Sequence, residues 1–332
     1  MMINSGYLFF RNFVTVCCLV TVSCLVPAAV LADAYPSRPI RLIVPFPPGP
    51  GTDAIARIVA PQLTEALGRQ VIVDNRAGAN GIIGMEVVAK AAPDGYMLGM
   101  ATPGPNAAGR ALFPTLSFDP QKDFSPIILL NKSPDVLLVH PSVPAKSVKE
   151  LVKLAKANPG KLNAAIAAVG SMNHFVNEWF KQEARIDFMN VPYKGGAPAL
   201  ADAVGGQVDI LFIGVTSALG FVESGRLRAL AVSNEARVPQ MASVPTMREV
   251  GYPKVIGSQW NGIVAPAGTP KDIVDRLNAE TAKALASRET QERFSRIGTV
   301  AVGGSPDSFA AFLRRESERL GNIIRVASIR AE

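Results

Sequence analysis

Short apolar runs alternate along this chain with segments whose apolar residues recur every three or four positions, and turns rich in glycine and proline separate the two. Residues 39–46 read as a strand closed by proline. Residues 54–67 read as a helix with Ile55, Ile58, Val59, Leu63 and Leu67 on one face and Gly68 at its end. Thr52 or Asp53 is its expected N-cap. Strands follow at 71–74 and 97–101, with a helix at 82–90 between them. A second series opens with a strand near 136–139 and a charged amphipathic helix at 148–157. It continues as strand 162–167, helix 172–183, strand 188–193, helix 197–204 and strands 208–213 and 227–232. An apolar run at 263–266 then leads into helices at 271–286 and from 306 to about 324.

Alternating strands and helices predict an α/β fold with parallel strands joined by right-handed crossovers. No low-complexity linker parts the two series, so the chain is expected to cross twice between two domains. One holds residues 35–134 with 258–332 and the other residues 135–257, with hinges at the crossings near 134 and 258. A ligand would sit in the crevice beyond the strands' carboxyl ends. Three turns stand at such strand-to-helix junctions: Pro45–Asp53, Thr102–Asn106 and Ala167–His174. Small residues there leave backbone N–H groups in a concave place, where they and the helix dipole attract a carboxylate or a phosphate.

Composition narrows the partners. Arg11 precedes an apolar run from Phe13 to Leu31, and Ala32-Asp33-Ala34 is a small-x-small cleavage signature. Residues 1–34 are therefore expected to be a secretory signal peptide, cut after Ala34 or Ala32, and Pro27 argues against a retained anchor. Cys17, Cys18 and Cys24 all fall in that segment, so an exported chain has no disulfide, thiolate metal site or cysteine nucleophile. Removing Arg11 and Asp33 leaves the net charge at +7, which steers anions towards the protein. Nucleic acid is not the expected partner, because no long basic run or aromatic-basic stripe is present.

Candidate chemistry is sparse. Ser171 and His174 could touch across a turn, but no orienting acid accompanies them, so no catalytic site is expected. His140 and His174, far apart in sequence, do not make a metal site. Lys194-Gly195-Gly196 lacks the spacing of a nucleotide loop, and no Gly-x-Gly-x-x-Gly opens a helix after the first strand. Neither a cofactor nor a metal is expected. Asp53 reads first as a helix cap, its backbone N–H being the likelier ligand contact, and His174 as the residue that orients the third turn.

Six motifs appear in order: Pro45-Phe-x-Pro-Gly-x-Gly-Thr-Asp53, Val191-Pro-Tyr-Lys-Gly-Gly-Ala-Pro-Ala-Leu200, Gly206-Gln-Val-Asp209, Ala229-Leu-Ala-Val232, Val244-Pro-Thr246 and Ala265-Pro-Ala-Gly-Thr-Pro270. Together they resemble the Bug family of periplasmic solute receptors, the extracytoplasmic component of tripartite tricarboxylate transporters. The resemblance spans residues 35–332. It implies a two-lobed, type II-like periplasmic binding protein fold, each lobe a mostly parallel sheet flanked by helices. It also implies a monomer, without cofactor, that serves the transporter's membrane subunits. In that family two turns, one per lobe, grip a small organic carboxylate through backbone N–H groups and ordered waters.

Carried over by position, the first turn contributes Pro47, Gly49, Gly51, Thr52 and Asp53, and the second lobe's turn Ala168, Val169, Gly170, Ser171 and His174. Thr102 and Asn106 lie on a further pocket turn, and Tyr193, Thr216, Ser217 and Trp260 occupy or neighbour lining positions. Three departures bear on the ligand. Pro50 replaces the middle of three usual glycines, Ile166-Ala167-Ala168 replaces a serine-rich stretch, and Ile213 stands where the family often has an aspartate. The expected ligand is accordingly a less polar acid than citrate or an amino acid, aromatic or aliphatic. An orphan receptor that presents a carboxylate to a sensor kinase is the alternative.

Overall fold

The computed structural model describes residues 35–49, 51–113 and 115–330. The expected signal peptide and Pro50 lie outside the described residues. In the first series, β1 (Ile40–Val44) lies between β2 (Val71–Asn75) and β3 (Met97–Ala101) and runs parallel to both. Helices α1 (Thr52–Leu67) and α2 (Ile82–Ala89) make the crossovers, and the short α3 (Gly109–Leu112) follows a π-helical turn at Gly104–Ala108. α1 buries Ile55, Val59, Leu63 and Leu67, and Gly68 closes it in a left-handed conformation.

The second series places β5 (Asn163–Ile166) between β6 (Met189–Pro192) and β7 (Ile210–Gly214), again parallel. Helix α4 (Val148–Ala157) precedes β5, α5 (Met172–Ala184) and α6 (Gly196–Val204) join the strands, and α7 (Val215–Glu223) leads to β8 (Arg228–Val232). Ser147 caps α4 by accepting the Glu150 N–H.

Antiparallel pairing enters through two long strands. β4 (Phe124–Val139) pairs over residues 124–134 with β9 (Ser258–Pro266), and β9 pairs in turn with β3. From Asp135 to Val139 the same strand pairs instead with β7 and β8. The sheets are thus mixed, because β4 serves both. Helices α8 (Lys271–Ala286) and α9 (Arg288–Arg296), β10 (Val300–Gly303) and α10 (Pro306–Val326) complete the chain, with β10 antiparallel to β4.

Three strand ends meet where β4 changes partners. Asp135 N–H donates to Gly257 O at 3.2 Å, and Ser233 N–H to Asp135 O at 2.8 Å. The Ser233 hydroxyl lies 2.9 Å from Asp135 O and 2.7 Å from Gly257 O. Around this crossing one apolar core includes Phe175, Phe180 and Phe212 together with Phe309 and Leu320 of α10. The Arg319 guanidinium of α10 donates to Ile256 O at 2.6 Å and lies 4.4 Å from the centre of the Trp179 ring on α5. Among the described residues no helix is long and apolar enough to cross a membrane.

Candidate functional site

Asp53 organises the first turn from inside. It is buried, and its carboxylate accepts from Gly49 N–H at 3.0 Å, Arg57 Nε at 2.9 Å and Asn75 Nδ2 at 2.9 Å, while Asn75 also donates to Phe46 O. Its expected role as a cap is corrected: the N-cap of α1 is Gly51, at φ 83°, with no side-chain bond. Gly49 N–H, expected to face a ligand, is likewise committed to Asp53. Pro47 is exposed and has no N–H to give. The first intrahelical bond of α1 runs from Ile55 N–H to Gly51 O, so the amides of Thr52, Asp53 and Ala54 form its open N-terminal end.

Burial would raise the Asp53 pKa, but the donors from Arg57, Gly49 and Asn75 outweigh it and hold the carboxyl below its ordinary 3.8. The stabilisation is therefore present above pH 3.8 and is lost as pH falls through the lowered folded value. Asp53→Asn turns a donor towards groups that themselves donate and is expected to destabilise the protein by about 1–3 kcal/mol, read as a drop in Tm. Because Arg57 is half exposed, little of this comes from the ion pair itself.

The second turn closes on itself. Asn106 Oδ1 accepts Thr102 N–H at 3.0 Å, and Asn106 N–H donates to Thr102 O at 3.2 Å. Thr102 and Asn106 are buried, and Thr102 Oγ1 has no partner among the described residues. Asn80, in the loop before α2, supplies what the sequence did not suggest: its Nδ2 donates across to Gly170 O of the third turn at 3.3 Å.

In the third turn most amides are already used. Ala167 N–H donates to Asn173 Oδ1, Ala168 N–H to Ser171 Oγ, Gly170 N–H to His174 Nδ1 at 3.2 Å, and Ser171 N–H to Ala168 O. Val169 N–H has no acceptor among the described residues. The Ser171 hydroxyl lies 2.6 Å from Ala168 O and also meets Asn173 Oδ1, and His174 spends its acceptor nitrogen on Gly170. The pair is thus a brace for the backbone, with neither a free nucleophile nor a free base.

Burial pushes the His174 pKa below its ordinary 6.5, and Glu178 (raising) and Lys181 (lowering) contribute less. Protonation turns Nδ1 into a donor facing Gly170 N–H. As pH falls below 6.5 the unfolded chain takes up the proton first, so stability declines and levels off below the depressed folded value. Scanning Tm between about pH 4.5 and 7.5 should show this decline, and His174→Gln, which keeps an acceptor but cannot titrate, should remove its histidine component.

One expected lining residue is corrected. Trp260 is buried, its ring edge-on to Phe309 and Phe312 and its Nε1 bonded to Glu316, so it belongs to the core. Tyr193 turns its hydroxyl to Asp202 at 2.7 Å; burial first, then that carboxylate, push its pKa up to about 12. Thr216 bonds Ser133 of β4 at 3.0 Å, and Ser217 is half-buried beside it in α7. No group of three or more His, Cys, Asp or Glu among the described residues could hold a metal.

The site is thus two helix starts from different parts of the chain, braced by internal carboxylate and imidazole acceptors, with Asn80 tying the third turn to the loop before α2. The profile of the tripartite tricarboxylate transporter family receptor, TctC, matches residues 55–329. The chain belongs to the TctC receptor family. Protein BugT of Bordetella pertussis is 38% identical over 301 residues, covering 90% of this chain and 92% of BugT. A Rhodopseudomonas palustris protein, MatC, solved with bound malate, is 32% identical with a TM-score of 0.80, covering 87% of this chain and 100% of MatC. An R. palustris protein solved with adipate is 35% identical with a TM-score of 0.84, covering 90% of this chain and 100% of its own. TctC proteins are solute-binding receptors rather than enzymes, and the fold is that of an α/β periplasmic binding protein.

Proposed function

We propose that this TctC receptor works in the periplasm, closing its lobes, 35–134 with 258–332 and 135–257, on a small organic carboxylate that it delivers to the membrane subunits of a tripartite tricarboxylate transporter. The observation that carries this reading is a pair of helix starts, at the first and third turns, each set by a buried acceptor, with the loop at 78–81 packed on Pro45 of the first turn and bonded through Asn80 to Gly170 of the third. The carboxylate would be held by the Thr52 and Asp53 amides of α1 and by Val169 N–H. Micromolar affinity needs about 8 kcal/mol. A few charge-assisted hydrogen bonds of about 1.5–3 kcal/mol each, with burial of the ligand's body, reach that without a salt bridge. Relatives solved with adipate and malate support the ligand class. Ala167, Ala168 and the buried Ile213 put few polar groups beside the turn, which favours an acid with an apolar body over citrate or an amino acid.

Native mass spectrometry of protein taken from the periplasm, followed by thermal-shift titration with mono- and dicarboxylic acids, tests the proposal. A stoichiometric carboxylic acid supports it. A retained phosphate ester, or a preference for citrate or aspartate, counts against the reading of the pocket.

A further inference from the structure

Asn80 sits at φ 51°, ψ 34°, and Ala79 before it at φ 45°. Glycine holds this left-handed region freely, and asparagine tolerates it better than other side-chain-bearing residues but at some cost relative to glycine. If the loop needed only its turn, glycine would serve better than asparagine. The side chain, however, reaches far beyond the turn. Its Nδ2 donates to Gly170 O, 90 residues away in sequence, at 3.3 Å. It also lies against Gly104, where an added methyl would stand 2.9 Å from Nδ2. The neighbouring Gly81 is also closely packed: a methyl there would lie 3.3 Å from both Pro45 and Pro105. The loop at 78–81 is therefore wedged between the first and second turns, and its one amide side chain extends to the third.

Gly170 is held from the other half of the molecule at two points. Asn80 takes its carbonyl, and buried Leu112 at the end of α3 covers its Cα, so that an added methyl would overlap Leu112 Cδ1. From its own half, His174 Nδ1 accepts its N–H. Both polar groups of this one glycine are thus engaged, from opposite sides. The peptide joining Val169 to Gly170 has its N–H on His174, and the next has its C=O on Asn80, which fixes how the third turn presents Val169.

We propose that Asn80 is a positioning residue that latches the closed form of the receptor. Its amide ties the second and third turns together and sets the third turn for the anion without touching the ligand. This rests on the receptor reading above, but its primary test needs no ligand. Residues 35–332 contain no cysteine, so Glu65→Cys on α1 and Lys153→Cys on α4, both exposed, accept spin labels uniquely. Pulsed EPR distances are then compared for the parent, Asn80→Gly and Asn80→Asp in the ligand-free protein.

Asn80→Gly trades the relief of left-handed strain against one lost hydrogen bond, so its Tm should change little while the closed fraction of its distance distribution falls below the parent's. Affinity for any acid the parent binds should fall roughly threefold to tenfold, the loss of one neutral hydrogen bond. Asn80→Asp sets a negative charge against the Gly170 carbonyl and should shift both readouts further. A ligand-free parent with no closed fraction, or a closed fraction in Asn80→Gly equal to the parent's, overturns the latch. If the parent binds no carboxylate, the ligand reading fails, and the latch is still judged by the distances.

Discussion

Gly170→Ala is expected to abolish most carboxylate binding, weakening it on the order of a hundredfold while the protein still folds. The substitution acts through two physical terms. Gly170 stands at φ 75°, where a side chain adds roughly 1–2 kcal/mol of strain. The new methyl would also overlap Leu112 Cδ1, and overpacking of this kind costs about 1–3 kcal/mol. The turn relieves both by rotating, which withdraws Val169 N–H and breaks the bonds from Asn80 and to His174. Calorimetric titration of the acid found on the native protein checks the result. The double variant Leu112→Ala, Gly170→Ala should recover the overpacking share of the loss but not the strain. If affinity in Gly170→Ala stays within about twofold, the third turn does not carry the anion.

Asp135→Asn is expected to make the protein more stable at neutral pH, with a gain that grows as pH rises. Asp135 is fully buried where β4 changes partners, and neither carboxylate oxygen has a hydrogen-bond partner among the described residues. Burial pushes its pKa up to about 8, and Gln259 beside it does not offset this. Its ordinary value is 3.8, so the folded state keeps a proton that the unfolded chain has released. Stability is therefore undiminished below pH 3.8, falls as pH rises from there, and levels off above about 8. The slope of about 1.4 kcal/mol per pH unit makes the burden at pH 7 at most about 4 kcal/mol. Denaturant titrations of both proteins between about pH 4 and 9 give the difference directly. Curves that run parallel would mean that Asp135 ionises as freely in the fold as outside it.

The helices were legible wherever one face carries the burial. Apolar spacing announced α1, and Ser147 with Asn158-Pro159-Gly160 bracketed α4. The polar α9, whose buried residues are only Thr290 and Phe294, gave no such stripe, and α7 hid in a turn of small residues. Antiparallel partners were invisible for a different reason. β3 pairs with β9 across more than 150 residues, and nothing local in either segment encodes that register. The same holds at the site. Glycine and proline marked all three turns, because backbone freedom is a local property. Which side chain fills each turn is not local, so Asn80 and Leu112 were missed and Trp260 was misplaced. The Ala-Asn-Gly stretch before α2 was the available signal: asparagine before glycine tolerates the left-handed region and brings an amide with it.

The stacking of Arg319 on Trp179 also gives the protein a built-in optical gauge. The chain has two tryptophans. Trp260 is sealed against Phe309 and Phe312 of α10 and should emit at a constant, short wavelength. Trp179, on α5, has its ring against a cation carried by α10 and anchored at Ile256, next to the crossing. The closure proposed above would move the guanidinium over the indole, so the change in intrinsic fluorescence on ligand addition is expected to come from a single residue. Trp179→Phe should silence it, whereas the unsubstituted and unlabelled chain would report the proposed closure directly in a stopped-flow instrument.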